Sequence, residues 1–498
     1  MRITNGMMVN STLANISTNK KQMNTLDTQL ATQKKISRPS EDPVIAIRAL
    51  RLRTSLSQVT QYLTKNIPDA NSWMDVTEGA LTTINDIISD LYEKCNQGSS
   101  DTLATEQRSI IKDSLTTLSD ALYAQGNADY AGRYVFTGYK TNSSLTFTSA
   151  ADADEYSYKI TEEFTAESFS TKTVLTNQLD IEAVKSAMSA ADISLGNTSE
   201  NATVNRIRLS YNELKDGSIP VIKYTDQNGN QQQYTAYAIT ETTDTSIVPG
   251  DDEILYNPDT GELMFGKNAY NDIRTLDGFT VDYEKENFEN GDCKPEHYFS
   301  CTRINKATGE MMQFTKAKEG QDIMYTVNFN AELKVNTEAS DAISLGIGRD
   351  VTELVNSINL VEDCENKVAE LEKLKENENY ASDEWQAKLD SLLEEANKEL
   401  DYAKDTMQKA FESGITKMQG HQQTVAIANS DIGNRMSRLE LTKTRLESQQ
   451  TNFTKLKSEN EDIDLEEVVV NYSSVELVYN AALTAASKVV RQTLLDFI

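Results

Sequence analysis

Val9, Ile16, Met23 and Leu30 recur every seven residues near the start of the chain, with Leu13 and Leu26 between them and mostly Asn, Ser, Thr, Gln and Lys elsewhere. An apolar repeat of that period is a helical stripe of coiled-coil type. Near the other end, Ile432, Leu439, Leu446 and Phe453 recur at the same interval of seven, with Met436 at an intermediate position. The final segment, from Val475 through Leu483 and Val490 to Phe497, is apolar around much of its circumference. A helix of that kind has to be covered on several sides. Neither terminal stripe hides its apolar face alone, so the first and last helices belong together.

Between Ile36 and Val44 the stretch SRPSEDP breaks the first helix, because Pro39 and Pro43 each remove a backbone donor and restrict the preceding residue. Pro43 also suits the first turn of a new helix. Helical spacing resumes at Val44 and continues past Pro68, which should kink or interrupt it, and a further amphipathic segment runs from Leu103 to Leu122, ending near Gly126. After Tyr130 the period changes. Residues 134–136, 221–225, 234–239, 279–283 and 324–329 are short, alternating and rich in aromatic or β-branched side chains, which predicts strands. Asn228-Gly229, the stretch from Asn257 to Gly261 and that from Lys306 to Glu310 supply the turns, and a helical interlude is expected from Gln178 to Met188. Helical spacing returns over 351–411, where dense Glu and Lys predict an antiparallel hairpin broken around Glu376 to Ser382.

The predicted fold is α+β: long terminal α-helices forming a coiled-coil-like base from both chain ends, with an inserted β-rich domain and a helical hairpin. Its regions are 1–40 with 460–498 as the terminal helical, polymerising part, 41–140 with 412–459 as a helical rod, 141–350 as the β-rich insertion and 351–411 as the hairpin.

Charge sharpens this division. The 48 basic and 77 acidic residues leave a net of −29, which opposes general nucleic-acid binding. The sign is uneven, since residues 1–65 carry a local net of +7 and a second basic patch, including Arg435, Arg438 and Arg445, lies near the other end. Basic ends therefore enclose an acidic middle. No apolar run is long enough to cross a bilayer, so no membrane insertion is expected. The opening MRITNGMMVNSTLANIS has no apolar core of secretory type, which argues against export through a cleaved signal peptide.

The chain offers little material for catalysis. Its four cysteines are too scattered for a disulfide scaffold, and its two histidines are His297 and His421. Cys293, His297 and Cys301, with Glu296, carry metal-binding residue types, but a loop followed by a strand does not bring that spacing together. His421 lacks a neighbouring nucleophile or orienting carboxylate in the sequence. The stretch from Asp226 to Asn230 suggests a calcium loop, yet its glycine is misplaced and the closing Glu is missing. No phosphate loop, nucleophile elbow or HExxH motif occurs. The residues thus predict no enzyme, no catalytic or metal site and no cofactor.

Periodicity alone leaves two readings of the ends: an intramolecular coiled coil that closes the molecule, or surfaces that pack between subunits. Particular residues carry a resemblance that bears on the choice. The opening Met1-Arg2-Ile3-Thr4 with its heptad helix, the stretch from Ile36 to Ala46 containing PSEDP, Gly132 to Tyr139 (GRYVFTGY), and the ending from Tyr472 to Ile498 resemble the bacterial flagellar hook-filament junction family, the third hook-associated proteins of the flagellin-like superfamily. The PSEDP form departs from the filament subunit, flagellin, whose corresponding stretch resembles RLSSGxRIN with a DDAAG motif. The resemblance covers about the first 140 and the last 85 residues, and the middle makes the chain longer than compact members.

That resemblance implies a structural adaptor, exported without a cleaved signal by the flagellar type III apparatus with a dedicated export chaperone. Such a protein assembles outside the cell between the other hook-associated junction protein and flagellin, and self-associates in the junction. It further implies that the paired terminal helices form an inner tubular layer. The expected assembly positions are Val9, Ile16, Met23, Leu30, Ile432, Leu439, Leu446, Phe453, Val475, Leu483, Val490 and Phe497. A flagellin-like filament subunit, or a surface adhesin carried on the insertion, would use similar ends.

Overall fold

Five threonines explain how so polar a segment as Asn5–Thr32 becomes the first helix, α1. The hydroxyls of Thr12, Thr18, Thr25, Thr28 and Thr32 each donate to the carbonyl four residues back, so the side chains satisfy themselves on the helix. The computed structural model describes residues 5–491 apart from 101–102, 177, 188, 191–192, 194–199, 227–228, 240–247 and 317–319. Met1 to Thr4, Asn228, Met188 and Phe497, each invoked above, lie outside the described residues, as does the side chain of Val490. The chain divides into two units.

The first unit holds the described residues up to Asn71, Tyr325–Leu333 and those from Ser437 onward. Helix α2 (Pro43–Gln61) begins where the PSEDP stretch predicts. Pro43 sits in its first turn, and the Asp42 carboxylate accepts from the amides of Val44 (2.9 Å) and Ile45 (3.1 Å), which caps two orphan donors. Glu41 accepts from the Ser37 amide at 2.8 Å, closing the turn before it. Pro68 does not end the helix that follows. A π-helical turn, Tyr62–Asn66, precedes α3 (Ile67–Gly98), and the Ile67 amide reaches the Tyr62 carbonyl five residues back. One wide turn absorbs the donor and the space that proline takes from an α-helix.

Most of the second unit is the insertion. After α4 (Thr105–Gln125) come β1 (Asp129–Tyr130), β2 (Arg133–Tyr134), α5 (Ala150–Glu155), β3 (Tyr156–Phe164), β4 (Ser170–Thr176), α6 (Ile181–Ser186) and β5 (Glu200–Arg208). There follow β6 (Val221–Thr225), β7 (Gln231–Thr235), β8 (Tyr237–Ala238), β9 (Ile254–Asn257), β10 (Glu262–Phe265), α7 (Lys267–Ile273), β11 (Phe279–Lys285), β12 (Ser300–Asn305) and β13 (Met311–Phe314). Strands β14 (Met324–Asn328) and β15 (Ala331–Lys334) form a separate hairpin, and α8 (Ala339–Ala342), α9 (Leu345–Glu376), α10 (Asp383–Glu461) and α11 (Leu465–Arg491) complete the described chain. The architecture is α+β, with helical ends around a β-rich middle.

The insertion contains a six-stranded sheet ordered β13-β12-β3-β11-β6-β7 and a five-stranded sheet ordered β4-β5-β10-β9-β8, antiparallel except where β8 meets β9. Alternation along β11 buries Phe279, Val281 and Tyr283 and turns Thr280, Asp282 and Glu284 outward. Strands β9 and β10 are apolar on both faces. Ile254, Tyr256, Leu263 and Phe265 join the main core with Tyr158, Ile160 and Val281, while Leu255 and Met264 pack on the other face with Val174, Val204 and Ile239. The turn between them follows its sequence: the Asn257 Oδ1 accepts from the Asp259 amide at 2.9 Å, and Gly261 takes φ +61 where a Cβ would lie 2.2 Å from the Tyr211 carbonyl oxygen. Residue 236 separates β7 from β8, so the run predicted over 234–239 is divided between the two sheets.

The Glu/Lys segment forms the predicted helical hairpin. Ion pairs Lys367–Glu399 (3.4 Å) and Lys375–Asp390 (2.5 Å) put α9 and the start of α10 antiparallel, over Leu371, Leu389, Leu392 and Ala396. The expected break falls at a short 3-10 turn, Glu378–Tyr380. Helix α10 does not stop near residue 411 but continues to Glu461.

Candidate assembly surface at the chain ends

α1 packs on α11. In α1 the partly covered positions are Val9, Thr12, Ile16, Asn19, Met23, Leu26, Gln29 and Leu30; apart from Gln29 they alternate three and four apart, which is the a/d seam of a heptad helix. Leu13, expected between Val9 and Ile16, lies outside this seam at 55% exposure, and Thr12 occupies its place. In α11 the matching stripe is Val468, Tyr472, Val475, Tyr479, Ala482 and Ala486. Leu465, Val469, Val470, Leu477, Val478 and Leu483 remain exposed on the rest of α11.

Backbone and charge lock the roots of this pair together. The Lys35 amide donates to the Glu461 carbonyl at 2.8 Å and the Ile463 amide to the Gln33 carbonyl at 3.2 Å, forming a one-bridge antiparallel joint between residues 424 or more apart. Arg53 from α2 grips the Glu461 carboxylate through two 2.7 Å hydrogen bonds, and Lys34 pairs with Asp462. The Arg53 bond holds the Glu461 carboxyl below its ordinary value. Further along, Gln450 donates to Thr60 Oγ1 at 3.1 Å and Asn460 to the Ile45 carbonyl at 3.1 Å, so α2 is stapled to the last turns of α10.

The twelve expected assembly positions fall into distinct environments. Ile432, Leu439 and Leu446 are buried within the chain, Val9, Ile16, Met23, Leu30, Phe453 and Val475 are half-buried, and Leu483 is exposed. Phe497 and the Val490 side chain lie outside the described residues.

Cys293, His297 and Cys301 are buried, and His297 Nε2 is bonded to the Ser144 carbonyl at 3.1 Å. Burial, with Lys140 nearby, pushes the His297 pKa down to about 3, so the ring is neutral. Burial raises the Cys301 thiol to about 12 and the Cys293 thiol above its ordinary range, which makes both poor nucleophiles and poor ligands. Among the described residues no group of His, Cys, Asp and Glu is arranged to hold a metal ion. The Asp226 carbonyl accepts from the Gly229 amide at 3.0 Å.

Sequence reasoning missed a charge network inside the second unit. Arg206 bridges Glu262 and Glu353, Arg208 pairs with Asp350 (2.5 Å) and Glu353 (2.9 Å), Lys417 reaches Asp350 (3.1 Å) and Glu353 (3.0 Å), and His421 Nε2 meets Asp350 at 2.9 Å. Burial alone would raise the pKa of Asp350, but the bond from His421 with Arg208 and Lys417 holds it well below the carboxylate range. Against the same desolvation, Arg206, Arg208 and Lys417 bring Glu353 down to about 2. A signal existed: Arg206 and Arg208 share one face of a strand, Asp350 and Glu353 one face of a helix, and Lys417 and His421 another.

The sequences of known proteins bear on the ends. The bacterial flagellin N-terminal helical region matches residues 3–141, and the flagellin C-terminal helical region matches residues 415–498. Both ends of the chain are similar to the helical regions of bacterial flagellin. The N-terminal flagellin region thus takes in α1 to α4 with the β1-β2 hairpin, and the C-terminal one the rest of α10 with α11. Flagellar hook-associated protein 3 of Salmonella typhimurium is 30% identical over 146 residues, and that of Escherichia coli 29% over 145. Each match covers 29% of this chain, which spans about half (45%) of the length of these relatives. Among solved structures, a putative flagellar hook-associated protein of Vibrio parahaemolyticus matches over 85% of this chain and 100% of its own, at 13% identity and a TM-score of 0.35. FlgL of Xanthomonas campestris matches over 82% and 99%, at 12% identity and a TM-score of 0.32. The α1–α11 pair and the joint at Lys34 and Asp462 lie wholly within the flagellin-type regions, whereas Arg206, Arg208, Asp350 and Glu353 lie outside them.

Proposed function

We propose that this chain is a structural component of the bacterial flagellum, an adaptor that joins the hook-associated junction to the flagellin filament. The observation that carries the reading is the pairing of heptad helices from opposite chain ends, in the two regions that match flagellin, with an apolar face of α11 left uncovered. A 45% span of hook-associated protein 3 supports the junction over the filament itself. In this role the chain works without catalysis or cofactor. Its partners are the other hook-associated junction protein, flagellin, further copies of itself and an export chaperone. It travels unfolded through the flagellar type III apparatus and works outside the cell. The four cysteines are all free and buried, so no crosslink opposes threading.

Within the assembly, residues 1–40 with 460–498 would supply the polymerising contacts, and 41–140 with 412–459 the rod. The insertion, 141–350, and the hairpin, 351–411, are accessory. Half-buried Val9, Ile16, Met23, Leu30 and Val475 would then be completed by neighbouring subunits. Deleting residues 1–30 or 470–498 tests the role: such cells should release flagellin into the medium. Normal filaments on those cells would overturn it. Purified full-length chain should form limited oligomers without its partners, and growth into long filaments would instead make it a filament subunit.

A further inference from the structure

Hairpin β14-β15 and the outer side of α10 enclose a groove of about 400 Å³ in the first unit. Its hairpin wall is fixed by Asn66, which donates to the Thr326 carbonyl at 2.7 Å, and by Tyr62 packed edge-on against Phe329 with ring centres 5.8 Å apart. Val327 and Leu333 line the groove, Leu441 stands in it at 73% exposure, and Arg438 and Arg445 flank Leu441. Glu332 is the one acid of the lining, so the groove is net positive in a chain of net −29. Neither arginine has an ion-pair or side-chain hydrogen-bond partner among the described residues. An apolar floor between two unpaired cations calls for an amphipathic, acidic occupant.

The same unit carries a surface of that chemistry. On α11 the side chains of Leu465, Val469 and Val470 are exposed beside Glu466 and Glu467, with Glu476 further along, and these carboxylates also lack partners among the described residues. Glu466 and Glu476 fall on the side of α11 that carries Leu465, Val469 and Val470, about 15 Å apart along the helix, against about 10.5 Å between Arg438 and Arg445 two turns apart, a difference that two long side chains span. We propose that the first half of α11 from a second copy of this chain docks its Leu465, Val469 and Val470 face into the Arg438, Leu441, Arg445 groove, with its glutamates on the two arginines. The contact is head-to-tail, groove to helix, so it leaves a free groove and a free helix at the two ends of every pair and propagates into an open array. It rests on the self-association proposed above and names the surfaces that carry it.

The test uses purified full-length chain. Because the native cysteines are buried, Leu441→Cys and Val469→Cys each add one exposed thiol. Mixing the two single variants under a mild thiol oxidant should give a disulfide dimer containing one of each, well above the dimers either forms alone, which excludes a bond within one chain. Arg438→Glu with Arg445→Glu in the groove partner should reduce its yield about tenfold, and Glu466→Arg with Glu476→Arg in the helix partner should restore it. No mixed dimer, or one indifferent to charge reversal, overturns the proposal. If groove variants still anchor filaments in cells while end deletions release flagellin, this contact falls and the junction role stands.

Discussion

The two parts of this molecule solve the burial problem in opposite ways. The insertion closes on itself: Tyr158, Ile160, Ile222, Leu263, Val281 and Tyr283 are buried in one core, and even the arginines and carboxylates of its network find partners inside the second unit. The α1–α11 pair does not. It covers a single seam, leaving Leu477 at 73% and Val470 at 65% exposure. A surface helix with apolar residues on both sides of its seam is complete only when something else arrives. The difference separates a part that buries its apolar side chains within itself from a helix pair whose outer face stays open to water.

The contrast is broken most severely at Arg206, whose side chain is 5% exposed between Glu262 and Glu353. Arg206→Ala leaves two carboxylates facing each other with fewer cations, and should cost about 3–5 kcal/mol. Chemical denaturation followed by the fluorescence of the two tryptophans, buried Trp73 and half-buried Trp385, would report it. A shift below about 1 kcal/mol would mean that the network is ornamental to the fold. Next comes Leu446, at 0% exposure, where Leu446→Ala should lose about 2–5 kcal/mol through a cavity in the rod. Leu441, five residues earlier on the same helix but exposed, should tolerate alanine within about 0.5 kcal/mol in the isolated chain. Equal losses at the two leucines would contradict the packing described for α10.

Acid should weaken the charge network of the second unit. The folded-state pKa of Glu353, about 2, lies below its usual value near 4.5. Its contribution is therefore fully present above that usual value and is lost as pH falls from about 4.5 through 2. The difference in stability between the native chain and Glu353→Gln should be on the order of 2 kcal/mol at neutral pH and close over that window. Glu162 works the other way. Burial raises its pKa despite bonds from Ser210 and Tyr283, so its strain is relieved on protonation. Glu162 is common to the native chain and the Glu353→Gln variant, so comparing the two cancels that opposing term. A difference that persists at pH 2 would show that Glu353 acts through packing and not charge.

What could be read from the sequence follows how far apart the interacting residues lie. The heptads, the PSEDP helix start and the break at 376–382 are local patterns, and each meets its element. The Asn257 to Gly261 turn was equally legible, because its Asn side chain and left-handed Gly act within five residues. Strand β3, which carries Glu162 on its buried face, and β9-β10, apolar on both faces, lack the clean alternation that marks a half-buried strand. Pro68, expected to kink or interrupt the helix, does so locally: the α-helical ladder gives way to the π-turn Tyr62–Asn66 before α3 resumes at Ile67. The network escaped altogether. Arg206 and Glu353 are 147 residues apart, and nothing short of the folded insertion tells an arginine on a strand which carboxylate it will meet. The seam showed the period but not the phase, since Thr12 sits where Leu13 was the more hydrophobic candidate.

The smallest effect on stability should carry the largest on assembly. Leu477 lies opposite the seam of α11 and touches water over most of its surface. Leu477→Ser removes little that the isolated chain buries, so its stability should move by no more than about 0.5 kcal/mol. In the flagellum the same face would meet a neighbour, where loss of an anchoring leucine weakens every repeat of the contact. Motility and filament retention measured beside the stability of the purified variant would separate the two. If Leu477→Ser unfolds the chain, the exposed face already has an occupant within it. If it changes neither stability nor filament retention, α11 needs no further partner on that side, and the seam with α1 is all that this helix is for.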